Sequence, residues 1–136
     1  MKIKLGLIVC LLVSGVLHAQ KPVTVECSVG EGVGTTIQLF GVDKGEKKVL
    51  ASASYNQNGY YGFSFIPKYE GFYVVGDGRL YEYPLYLKAG DAVSLFMDKD
   101  TVYLTGKHNT AENKVLYEWV NLSKRVCEKS TYFMRV

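Results

Sequence analysis

Apolar side chains alternate with polar ones in short runs that recur about every ten residues, and each run is closed by Gly, Asn, Asp or Pro. A period of two sends successive side chains to opposite faces of a strand, so such a run buries one face of a sheet and wets the other. Strands this short and this often interrupted belong in an antiparallel sandwich or barrel. The runs are Val23 to Val29, Thr36 to Val42, Lys48 to Tyr55, Tyr60 to Ile66, Phe72 to Val75, Tyr83 to Leu87, Val93 to Met97 and Thr101 to Leu104. The expected fold is therefore mainly β, an antiparallel β-sandwich of about eight strands. Asp43-Lys44-Gly45-Glu46 and Asn58-Gly59 read as hairpin turns because Gly and Asn tolerate the left-handed backbone of a tight turn, and Pro67 ends a strand.

The alternation also assigns the core: Ile37 with Leu39, Val49 with Ala51 and Ala53, Phe63 with Phe65, Leu85 with Leu87, Val93 with Leu95 and Met97, and Val102 with Leu104. From Asn109 the period changes. Ala111, Val115, Trp119, Leu122 and Val126 step by four, four, three and four, which aligns them on one stripe of a C-terminal helix expected to pack on the sheet. Asn109 with Glu112 offers a reciprocal cap for its first turn, and Lys124 and Arg125 suit its negative end. The segment Tyr132-Phe133-Met134-Arg135-Val136 is apolar and reads as something that must be covered.

Residues 1–19 have the parts of a secretory signal: Lys2 and Lys4, an apolar run from Leu5, and Ala19 ahead of Gln20. The apolar run is shorter than the roughly 20 residues a spanning helix needs. Cys10 lies inside it and follows Val9, which is not the setting of a lipid-anchored cysteine. The reading is thus a signal peptide (1–19, cut after Ala19), a β-sandwich domain (20–108) and a helix with tail (109–136), in a periplasmic or secreted chain with no stable membrane span. Removing Lys2 and Lys4 from the 16 basic residues leaves 14 against 13 acidic ones, a balance that argues against a nucleic-acid partner.

Chemistry is sparse in what remains. Cys27 and Cys127 are 100 residues apart, and a disulfide closing that loop would stabilise by about 4.7 kcal/mol in the chain-entropy view. The alternative is two small buried hydrophobes, and Cys27 shares inward parity with Val23 and Val25. No C-x-x-C occurs, so a dithiol redox centre is not encoded. His108 is the one histidine after the signal and reads as a linker residue rather than a catalytic base. Asp98-Lys99-Asp100 reads as a hairpin turn, since a calcium loop needs a central Gly and a closing Glu. Gly30-Glu31-Gly32-Val33-Gly34 is a flexible turn lacking the Lys and Ser/Thr of a phosphate loop. No catalytic residue, metal ligand or cofactor is expected.

Tyrosine is the most distinctive residue, with 11 in the chain. Several fall between Tyr69 and Tyr86. They are either strand filler or an aromatic platform, and exposed Tyr gives contact area at low entropic cost. Tyr81, Tyr83 and Tyr86 are the expected partner-binding residues.

The order of motifs carries a resemblance. Asn58-Gly59 leads to Phe63-Ser64-Phe65, then come Gly71-Phe72-Tyr73, Pro84-Leu85-Tyr86-Leu87-Lys88-Ala89-Gly90-Asp91, and Leu104-Thr105-Gly106 before an Asn-containing helix. From Val23 to Leu122 the chain resembles the domain of unknown function family 4369, the N-terminal β domain of bacterial thiol-disulfide interchange (thioredoxin-like, AhpC/TSA) envelope proteins. The family's redox centre belongs to its thioredoxin-like part and is not carried over. The resemblance implies an exported, non-catalytic accessory domain that docks a thioredoxin-like protein or its substrate. The alternative from the residues is a stand-alone cell-envelope module binding a glycan or a peptide.

Overall fold

A computed structural model describes residues 20–34, 36–55, 59–106 and 109–134. Residues 1–19, read above as a signal peptide, His108 and Asn58 lie outside the described residues. Among the described residues, nine strands and one helix follow in order: β1 (Val23–Val29), β2 (Gln38–Asp43), β3 (Glu46–Ser52), β4 (Ser54–Tyr55), β5 (Tyr61–Phe65), β6 (Gly71–Gly76), β7 (Glu82–Leu87), β8 (Ala92–Met97), β9 (Val102–Leu104) and α1 (Ala111–Met134). The strands form a five-stranded sheet, β4-β5-β1-β8-β9, and a four-stranded sheet, β3-β2-β6-β7. The architecture is the mainly β sandwich with one C-terminal helix that the alternation implies.

Two local features depart from a uniform antiparallel meander. β1 pairs parallel with β8, with Val25 opposite Val93 and Cys27 opposite Leu95, so the first strand sits between β5 and β8 in the middle of its sheet. The run from Lys48 to Tyr55 is two strands in different sheets, switching at Ala53, whose N–H donates to the Ile37 carbonyl. β4 pairs antiparallel with β5, Tyr55 opposite Tyr61; the turn read at Asn58-Gly59 falls between them, and Asn58 lies outside the described residues. The β2–β3 hairpin does close tightly, with Lys44 and Gly45 both at positive φ, 50° and 80°, as a type I′ turn requires.

The core lies between the sheets. Val23, Val25, Cys27, Ile37, Leu39, Phe63, Tyr73, Val75, Leu85, Leu87, Val93, Leu95, Met97 and Val102 are buried there, with Ala51, Ala53, Phe65 and Leu104 packed partly against them. Val49 was expected inside and is exposed. A register shift between Leu39 and Phe40 puts an extra β3 residue, Leu50, into the ladder, which breaks the alternation: Ala51 lies opposite inward Leu39, while Val49 lies opposite Phe40 on the other face. Gly76 has no freedom to change, because a Cβ there would lie 2.1 Å from the Tyr81 carbonyl oxygen.

The helix forms where the period changes, but a different face meets the sheets. Asn113 and Tyr117 are buried, with Leu116 and Val120 packed partly against the core, while Val115, Trp119, Leu122 and Val126 point away. Backbone chemistry decides this. β7 and β9 are the edges of their sheets, and an edge strand presents N–H and C=O groups that need partners. Asn113 provides them for β7: its Oδ1 accepts from the Tyr86 N–H at 2.9 Å and its Nδ2 donates to the Tyr86 carbonyl at 2.7 Å. Asn109 does the same beside β8 and β9, accepting from the Ser94 N–H at 2.8 Å and donating to the Thr105 carbonyl. Lys124 reaches the Asp100 carbonyl in the β8–β9 turn. With Asn109 so occupied, the helix cap is Thr110, whose Oγ1 accepts from the Asn113 N–H at 3.3 Å.

Candidate docking surface

The two ends of the β6–β7 hairpin are fixed by side chains hydrogen-bonded to the backbone. At the turn, Asp77 Oδ1 accepts from the N–H groups of Arg79, Leu80 and Tyr81, and its Oδ2 accepts from Gly34, tying the glycine-rich turn to this loop. Partial burial alone would push the Asp77 carboxyl up, and these four N–H donors outweigh it and hold it below its ordinary value. At the other end, Tyr69 stacks on Tyr73 with ring centroids 4.6 Å apart, and the Tyr73 hydroxyl donates to the Tyr69 carbonyl at 2.8 Å. The hairpin that carries the tyrosines is therefore a defined platform.

Alternation along β7 then separates the three expected contact residues. Tyr83 shares parity with Leu85 and Leu87 and packs against the core, Tyr86 points to the outer face, and Tyr81 lies in the Asp77 loop near Gly32. The structure does not bring Tyr81, Tyr83 and Tyr86 onto one surface. Tyr86 instead pairs across the strand with Phe72, ring to ring at 5.4 Å and 81°, and its hydroxyl donates to Glu70 at 3.2 Å. Burial first, and then the Glu70 bond, raise its pKa.

Beside this aromatic pair runs the unburied stripe of α1. Phe72, Tyr86, Glu112, Val115, Leu116 and Trp119 line an open groove of about 420 Å³. Its apolar walls are well exposed: Val115 by 67%, Trp119 by 63% and Phe72 by 55%. Glu112 and Lys88 pair at 2.9 Å on its rim, and the bond to Lys88 lowers the Glu112 pKa while raising that of Lys88. Leu122 and Val126 extend the apolar stripe along the helix, and Val42 and Val49 add exposed apolar surface on β2 and β3 of the four-stranded sheet. Phe72, Val115 and Trp119 were not singled out as site residues from the sequence. The signal that could have found them is the second polar-and-apolar face of α1, headed by Asn113.

Little else among the described residues suggests chemistry. Cys27 is sealed in the core, and its burial pushes the thiol up to about 12. Cys127 is exposed on α1, and no disulfide joins the two. Asp98 makes the expected hairpin turn, accepting from the Asp100 and Thr101 N–H groups. Among the described residues no three His, Cys, Asp or Glu side chains gather as metal ligands, and no helix is long and apolar enough to cross a membrane.

Fold and surface together define a β-sandwich whose C-terminal helix caps the β7 edge, reaches the β8–β9 turn and turns an apolar stripe to solvent. No family model and no curated protein matches the chain. Among solved structures, a putative cell adhesion protein from Bacteroides fragilis NCTC 9343 is similar at 16% identity, with a TM-score of 0.33 over 67% of this chain and 45% of that one. So shallow a likeness carries no argument about this chain.

Proposed function

We propose that this chain is an exported, non-catalytic β domain that docks a protein of the cell envelope through the apolar band running from Phe72 and Tyr86 onto α1. One observation carries the reading: five neighbouring apolar side chains, Phe72, Val115, Trp119, Leu122 and Val126, are each more than half exposed. With aromatic side chains offering roughly 150–250 Å² each, the band amounts to on the order of 500–600 Å², the upper end of what a monomer leaves uncovered. Trp and Tyr beside a satisfied polar rim are the usual composition of a binding hot spot. Export follows from the reading of residues 1–19 as a signal peptide. The class of partner follows the resemblance: a thioredoxin-like protein of the envelope, or the substrate of one. Of the tyrosines first expected to make contact, Tyr86 belongs to this band.

The exported chain, immobilised in reductant, is incubated with envelope extract beside its Phe72→Glu variant. Wild type should enrich a thioredoxin-like protein, and the variant should lose it by about 30-fold, the equivalent of a 2 kcal/mol hot spot. Equal recovery by both proteins, or no enrichment at all, refutes the reading. Saturable binding on a glycan array with no protein captured would replace it with the glycan-binding alternative.

A further inference from the structure

Val115, Trp119, Leu122 and Val126 follow one another at intervals of four, three and four on a continuous 24-residue helix, the spacing of a coiled-coil seam. All four face away from the sandwich and are more than half exposed. We infer that this seam is covered by a second copy of the chain, with the two α1 helices antiparallel about a two-fold axis between Trp119 and Leu122. The inference rests on the band being a docking surface and names the occupant of its helical half. The Phe72 and Tyr86 half stays available to another protein.

Charge selects the orientation. In the antiparallel register, Trp119 of each copy packs on Leu122 of the other and Val115 on Val126. Glu118 and Arg125 each directly precede a seam residue, Trp119 and Val126, so they flank the seam on the same side. Both are exposed, and among the described residues neither forms an ion pair within the chain. The antiparallel register sets Glu118 of one copy opposite Arg125 of the other, and symmetry repeats the pair. A parallel, in-register arrangement would set Glu118 against Ser123 and stack Trp119 on itself, with no opposite charges meeting. The seam and its charged flanks offer on the order of 500–600 Å² per copy, about 1,000–1,200 Å² for the pair, which clears the roughly 1,000 Å² a specific interface needs.

Trp119 is the one tryptophan, so its emission reports the seam directly. In reductant the wild-type chain should sediment as a dimer at about 100 μM, with emission shifting to the red on dilution, and Trp119→Glu and Leu122→Glu should each be folded monomers. In a Cys127→Ser background, an equimolar mixture of Glu118→Cys and Arg125→Cys should form a mixed disulfide under mild oxidation, while neither alone should cross-link. Residues 118 and 125 lie about 10 Å apart along one helix, so the pairing reads the register between chains. A wild-type monomer at that concentration, or cross-linking of either variant alone as fast as the mixture, overturns the inference. If that monomer still captures a protein that Phe72→Glu loses, self-pairing fails alone. If capture is absent or unaffected by Phe72→Glu and Trp119→Glu, the docking reading fails with it.

Discussion

Replacing Asn113 by Ala should detach the helix from the edge it protects. The Asn113 side chain is fully buried and makes three hydrogen bonds, two to the Tyr86 backbone and one to Thr110 at 2.7 Å. Its removal leaves the Tyr86 N–H and C=O under the helix without partners, at about 1–3 kcal/mol for each group that water cannot reach. Partial hydration of the gap lowers the total, so the expected loss is about 3 kcal/mol, a large share of a domain's 5–15 kcal/mol. Asn113→Asp sharpens the test. One carboxylate oxygen can still accept from Tyr86 N–H, but the other faces the Tyr86 carbonyl, which favours the protonated acid and raises the folded pKa above the unfolded value near 3.9. The acid then holds the site below that unfolded value, and the stability is lost as pH rises through the folded one. Urea melts followed by Trp119 emission and far-ultraviolet dichroism give the difference between variant and wild type at each pH. Amide exchange at Tyr86 locates it. An Asn113→Ala loss under 0.5 kcal/mol, or an Asn113→Asp difference that does not change between pH 4 and 7, refutes the account.

Asp77→Ala should cost about 1–2 kcal/mol, because four backbone donors lose their acceptor, and faster amide exchange at Gly34 and Tyr81 would localise the effect. Since the Asp77 pKa is lowered in the folded chain, its contribution is present above the unfolded value and lost as pH falls through the folded one, so wild type and Asp77→Asn should converge in acid. Cys127 should alkylate promptly in the native protein and Cys27 only on unfolding, as mass spectrometry of iodoacetamide-treated protein would show. Tyr117→Phe should leave stability unchanged or raise it by about 1 kcal/mol, because the buried Tyr117 hydroxyl has no hydrogen-bond partner among the described residues; a clear loss in the urea midpoint would contradict this.

Alternation alone was enough to read the sandwich and most of its core, because inward parity along β1, β7, β8 and β9 is continuous. It failed where the chain breaks its own period. The extra residue at Leu50 turns Val49 out, and the switch at Ala53 sends one apolar run into two sheets; neither leaves a mark in the sequence beyond small side chains. The parallel place of β1 was equally hidden, since side-chain alternation does not encode which neighbour a strand takes. Of the candidate contact residues Tyr86 alone was placed on the band, because Tyr83 is held inward by the same parity as Leu85, and Tyr81 is positioned by Asp77 rather than by any strand.

The helix shows why hydrophobicity was the wrong guide to its orientation. Turning Val115, Trp119 and Leu122 onto the sandwich would contribute roughly 1.5–3 kcal/mol per side chain, but would cover the β7 and β9 edges with groups that cannot hydrogen-bond. The other face offers Asn113 for the β7 edge and Lys124 for the Asp100 carbonyl of the β8–β9 turn, together with Leu116, Tyr117 and Val120 for the apolar contact. One helix cannot bury both faces against one sandwich, so the stripe is spare with respect to the domain's own stability. Polar substitutions at Val115, Trp119, Leu122 and Val126, measured at concentrations low enough to keep the chain monomeric, should each shift stability by less than about 0.5 kcal/mol, whereas Leu116→Ala and Val120→Ala should each cost about 1–3 kcal/mol. The reverse ranking would mean that the helix meets the sheets through the apolar stripe after all, and the docking surface would disappear with it.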